Sequence, residues 1–223
     1  KGLNWYDYGA RHYDAVLGRF TTNDRFAEKY YSMSPYQYGA NSPVGNIDVN
    51  GDSIIIKPNA NGIIDQIKVL FGYDTKFQKD VKADLFQLKQ DDKKVADIIG
   101  KLEESKNIHY ITMPKKGEYN STGFNADKVK KNISQGSEIY YNPYNRRRGR
   151  NDSDMRTPRI GLAHELQHSF DVDKKVATYE RTKNGILLMD IRAINTENRI
   201  RKVIGEPKRT MYGTQKVPKE LLE

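Results

Sequence analysis

Ile160-Gly161-Leu162-Ala163-His164-Glu165-Leu166-Gln167-His168-Ser169-Phe170-Asp171 is the stretch on which the reading of this chain turns. Thr157-Pro158 just before it opens a helix well, because Thr can cap one and Pro suits the first helical position. Four residues make about one turn, so His164 and His168 stack on one face and can offer two imidazole nitrogens to a single ion. Glu165 lies beside them, placed to take a proton from a water on that ion and pass it to a leaving amine. A helix with two ordinary histidines is the bland alternative. It is weakened by the scarcity of the residue, four histidines in 223.

A catalytic zinc needs a third protein ligand and one open position. The chain has no cysteine, so that ligand must be His, Asp or Glu. Residues 187–205 have the length of a long helix, with Gly205 and Pro207 to stop it. On its wheel Asp190, Ala193, Ile194, Glu197, Ile200 and Ile204 share a stripe, which sets two carboxylates in an apolar neighbourhood. Seven residues separate these carboxylates by about 10 Å along the axis, so one is the ligand and the other a supporting group. Asp190 is preferred, because Glu197 has Arg201 four residues on for an ion pair. Glu197 stays a candidate, since Glu is the commoner third ligand.

Working outward, residues 53–57, 109–113 and 137–141 read as β-branched or aromatic strands, the last closed by Asn142-Pro143. Residues 77–105 carry the spaced apolar positions of one or two helices. Short strands mixed with longer helices predict an α+β domain over residues 53–223. His109 falls on a probable strand and reads as structural. The net charge of +9 suits an acidic partner. Part of it is Arg146, Arg147, Arg148 and Arg150, in a stretch without helical or strand periodicity that reads as a solvated loop. No apolar run approaches the roughly 18 residues of a membrane span.

Residues 1–52 differ in style. Tyr6-Asp7-Tyr8-Gly9-Ala10-Arg11-His12-Tyr13-Asp14, Leu17-Gly18-Arg19-Phe20, Ser34-Pro35-Tyr36-Gln37-Tyr38 and Asn41-Ser42-Pro43 are crowded with aromatics and turn formers, as suits short strands and tight bends. Trp5 and His12 read as packing or hydrogen-bonding residues. The run resembles the RHS repeat-associated core terminus over nearly all of residues 2–52, but ends Asp48-Val49-Asn50-Gly51 where that family has Asp-Pro-x-Gly, its self-cleavage junction in some members. Beginning at Lys1 without a targeting signal, the sequence reads as a piece of a longer chain. The resemblance implies a large secreted shell with residues 53–223 as its delivered toxin, and an acidic immunity protein in the producer.

The second half is similar to the H-E-x-x-H effector peptidases of type III secretion (NleD-like) and of polymorphic toxins. Tyr140-Tyr141-Asn142-Pro143, Gly161 to His168, residues 193–201 with Glu197-Asn198 and Arg201, and Gly205-Glu206-Pro207-Lys208-Arg209-Thr210-Met211-Tyr212-Gly213 carry that likeness. It implies a zincin-like zinc endopeptidase acting on a protein or peptide, with residues 138–141 as the strand that receives the substrate backbone. Arg209 and Tyr212, three apart, also resemble an Arg-x-x-Tyr pair of clostridial neurotoxin proteases, implying hydrogen bonds to the developing oxyanion. A nuclease toxin using the basic surface is the first rival, though no clustered metal-ligand set for phosphodiester hydrolysis is visible. An inactive binding module is the second, opposed by the intact motif.

Overall fold

Aromatic residues spaced by turn formers fold the N-terminal segment into an antiparallel meander of β1 (Trp5–Asp7), β2 (His12–Asp14) and β3 (Arg19–Phe20). Phe20 and Tyr38 are buried in it, their rings packed with Tyr13. Arg11 lies 3.7 Å over the Phe20 ring and pairs with Asp24 at 3.1 Å. The Trp5 indole donates to Asp14 and stands beside His12. The described part of the segment is thus β-rich, as expected. The structure, a computed structural model, describes residues 5–7, 11–24, 27, 34–38, 54–60, 62–70, 72–149 and 152–223. The Asp48-Val49-Asn50-Gly51 junction, the boundary at residue 52 and Arg150 lie outside the described residues.

The rest is mixed α+β. In chain order it runs β4 (Ile54–Ile56), α1 (Ile63–Leu70), α2 (Lys76–Asp91), α3 (Lys93–Glu103), β5 (His109–Thr112), β6 (Ser121–Gly123), α4 (Ala126–Lys130), β7 (Ser137–Tyr140), β8 (Arg147–Gly149), β9 (Asp152–Met155), α5 (Pro158–Asp173), α6 (Leu188–Ile204), β10 (Met211–Tyr212) and β11 (Gln215–Lys216). The main sheet has the order β4-β5-β7-β6, with β4, β5 and β7 parallel and β6 antiparallel. Parallel strands require a crossover, and α1 to α3 supply it between β4 and β5. Asp92 divides α2 from α3: its extended backbone ends the first helix, and its carboxylate accepts from Lys94 and Val95 to start the second.

The period of two in the strands decides the layering. Ile54, Ile56, Ile111 and Ile139 turn to one face of the sheet and pack with Val81, Leu88, Ile99 and Leu102 of the helices. Helix α5 lies within this core, buried on nearly every side, and adds Ile160, Leu162 and Leu166. A helix buried all round has no polar face to spend on solvent, so its charged residues must find partners inside. Its first turn differs from expectation: Thr157 occupies the cap position, but its hydroxyl donates to Glu206 and does not cap the helix. Arg147 and Arg148 differ too, lying in β8, which pairs antiparallel with β9, where a loop was expected. No helix among the described residues is long and apolar enough to cross a membrane.

His109 is structural, as expected. Its Nδ1 stands 2.9 Å from the Ser137 hydroxyl, which donates to Ser169, whose hydroxyl in turn reaches the Glu165 carbonyl. Its Nε2 is 3.7 Å from the Asp173 carboxylate, which also accepts from Ser105, Asn107 and Lys174. Burial alone would raise the Asp173 carboxyl, but these partners outweigh it and hold the group below its usual range. A depressed folded value adds stability above the unfolded value, near 3.8, that fades as pH falls through the folded one. Asp173→Asn is therefore expected to melt at a lower temperature than the parent at pH 7, with the gap narrowing as pH drops below 4. Melting curves across pH check this, and a gap independent of pH would contradict it.

Candidate active site

Helix α5 sets His164 and His168 one turn apart with their Nε2 atoms 3.2 Å from each other and both side chains buried. Burial is the main force pulling His168 down, to about 3, with His164 adding to it, so the ring is neutral near pH 7. Neutral imidazole is the form that ligates a metal. Asp190, in the first turn of α6, brings Oδ1 to 3.6 Å from His168 Nε2. Burial raises the Asp190 carboxyl, opposed by His164 and by the hydrogen bond it accepts from Tyr212.

Glu197, two turns further along α6, meets the opposite side of the pair. Its Oε1 is 3.0 Å from His164 Nδ1, and the same oxygen accepts from Arg156 Nη1 at 2.6 Å and Arg209 Nη1 at 2.7 Å. Arg201 Nε stands 3.6 Å from Oε2. Glu197 has no exposure to solvent, and burial pushes its carboxyl up. Arg156, His164 and Arg209 overcome that and keep it ionised well below the usual range. The two candidate carboxylates are thus separated by which imidazole nitrogen they face.

Donors held about 2.0–2.1 Å from one tetrahedral ion stand about 3.3–3.4 Å apart. The separations of 3.2 and 3.6 Å lie within a few tenths of that spacing. Among the described residues no three His, Cys, Asp or Glu side chains are already closed into an ion cage. His164, His168 and Asp190 are the side chains that could form one. Glu165 projects beside them, its Oε2 accepting from the Thr122 hydroxyl at 2.8 Å. Burial raises its carboxyl against the pull of His164 and Thr122. A raised carboxylate is the stronger base.

Thr122 belongs to β6, and β6 corrects the expectation for residues 138–141. Strand β7 is paired on both sides, by β5 and β6, and has no edge to offer. Strand β6 pairs with β7 alone among the described residues. Asn120, Ser121, Thr122 and Phe124 line a cavity of about 320 Å³ that also holds both histidines, Glu165, Asp190 and Glu197. Ser121-Thr122-Gly123 is short and polar, so neither length nor alternation marks it as a strand.

Tyr212 in the β10–β11 hairpin and Arg209 just before it line the same cavity. Tyr212 hydrogen-bonds Asp190, and burial with that carboxylate raises its phenol. Arg209 also pairs with Glu197: its Nη1 donates to that carboxylate and its Nε to the Met211 carbonyl. Thr122 and Arg156 were missed by sequence reasoning, and only Gly161, a glycine inside a helix, hints at Arg156. Comparison with protein-family models, curated proteins and solved structures gives no match to this chain.

Proposed function

We propose that residues 53–223 are a zincin-like, zinc-dependent endopeptidase, and that residues 1–52 are an RHS core terminus that makes it the delivered effector of a polymorphic toxin. The observation that carries the enzymatic reading is the pair of imidazoles converging 3.2 Å apart beside Asp190 and Glu165 in one cavity. His164, His168 and Asp190 would hold the ion. Zinc there would polarise the scissile carbonyl and acidify the attacking water. Glu165 takes the proton of that water at its carboxylate and returns it to the leaving nitrogen. The edge of β6 that is unpaired among the described residues receives the substrate as an added strand, and Tyr212 and Arg209, which line the cavity, would donate to the oxyanion.

The secretion-shell origin and an acidic immunity protein as partner rest on the likeness of residues 2–52 and on the net charge of +9. The purified chain is expected to cleave an unfolded protein such as casein, to stop when a chelator removes the metal, and to resume when zinc is restored. Magnesium-dependent degradation of nucleic acid, with casein untouched, would favour the nuclease instead.

A further inference from the structure

We infer that Arg156 is a positioning residue of this centre, gripping Glu197 so that Glu197 fixes the ring of His164. The inference rests on the metallopeptidase reading. Glu197 Oε1 is approached by Arg209, from the segment between α6 and β10, and by Arg156, just after β9. Arg156 itself is 3 % exposed, and its backbone N–H donates to the Arg146 carbonyl across the β8–β9 hairpin, so the guanidinium enters from an anchored strand. A carboxylate with no solvent contact keeps its charge only through such partners. Two guanidinium nitrogens on one oxygen also stop it from rotating away from His164 Nδ1. With Nδ1 of His164 held 3.0 Å from Glu197 Oε1, its Nε2 faces His168 and the cavity, as ligation requires.

Gly161 is an independent sign of the same arrangement. A Cβ there would lie 2.5 Å from Arg156 Nη2 and 2.6 Å from Asn120 Nδ2. Glycine is unfavourable inside a helix, and here it clears the space along α5, one turn before His164, in which the guanidinium lies.

The test is a double-mutant cycle on zinc affinity, measured by competition with a chelator on the full chain. Arg156→Leu is expected to weaken zinc binding about 10- to 100-fold, with Arg156→Lys losing less. In a Glu197→Gln background Arg156→Leu is expected to change affinity by no more than about twofold, since its route to the metal is already cut. Equal losses in both backgrounds, or no loss in the parent, would overturn the assignment. If Arg156→Leu fails to fold by circular dichroism, Arg156→Lys in the same two backgrounds decides by the same comparison. A parent chain that binds no zinc would overturn the metallopeptidase reading with it, whereas a parent that binds zinc indifferent to Arg156 overturns this inference alone.

Discussion

Glu165→Gln is expected to keep zinc at the affinity of the parent and to lose peptidase activity by about 10²- to 10⁴-fold, the usual worth of a general base. The amide preserves the shape of the side chain and can still accept the Thr122 hydroxyl that now reaches Oε2 at 2.8 Å. It cannot take a proton from water. Because Glu165 is not among the three side chains that would hold the ion, metal content separates loss of chemistry from loss of the site. Zinc titration and casein cleavage on the same preparation check both halves. Activity like that of the parent would remove Glu165 from the mechanism.

Asp190→Ala is expected to release the zinc, the largest effect on binding of any single carboxylate change. Removing a ligand opens the site itself, whereas a change behind a ligand costs about 10- to 100-fold in affinity. Glu197→Gln belongs to the second kind, because Glu197 meets His164 at Nδ1 while Asp190 lies 3.6 Å from the Nε2 of His168. It also leaves Arg156 and Arg209 without their shared anion. A breach of a buried pair typically costs about 3–5 kcal/mol, so Glu197→Gln should lower the melting temperature more than Asp190→Ala does. Zinc affinities and melting curves of the two variants decide the matter. Zinc lost with Glu197→Gln and kept with Asp190→Ala would reverse the assignment.

The two long helices of the site were legible in the sequence because local rules fix them. Proline at the first position of α5, the left-handed Gly205 that closes α6 and the stripe from Asp190 to Ile200 all act within a few residues. Strands β4, β5 and β7 were legible for the same reason, being short β-branched or aromatic runs bounded by turns. Which carboxylate faces which nitrogen was not legible. The wheel puts Asp190 and Glu197 on one stripe, and only the angle at which α6 crosses α5 decides what each reaches.

Strand β6 escaped notice because its three residues are strand only by virtue of pairing with β7. The β8–β9 hairpin escaped notice because an arginine-rich run carries no alternation. Arg156 is the furthest from reach: its partner Glu197 lies 41 residues away, and only the helical Gly161 hints at where its guanidinium lies. Arg209 was singled out for a hydrogen bond to substrate, and its pairing with Glu197 at 2.7 Å is a further contact that the sequence did not announce.

The most direct test is an anomalous-difference map from a crystal of the full chain grown with zinc, with data on both sides of the zinc absorption edge. The account predicts one peak within about 2.0–2.2 Å of His164 Nε2, His168 Nε2 and an Asp190 oxygen, and none on Glu197. A peak ligated by Glu197 in place of Asp190, or one found away from the two histidines, would contradict it.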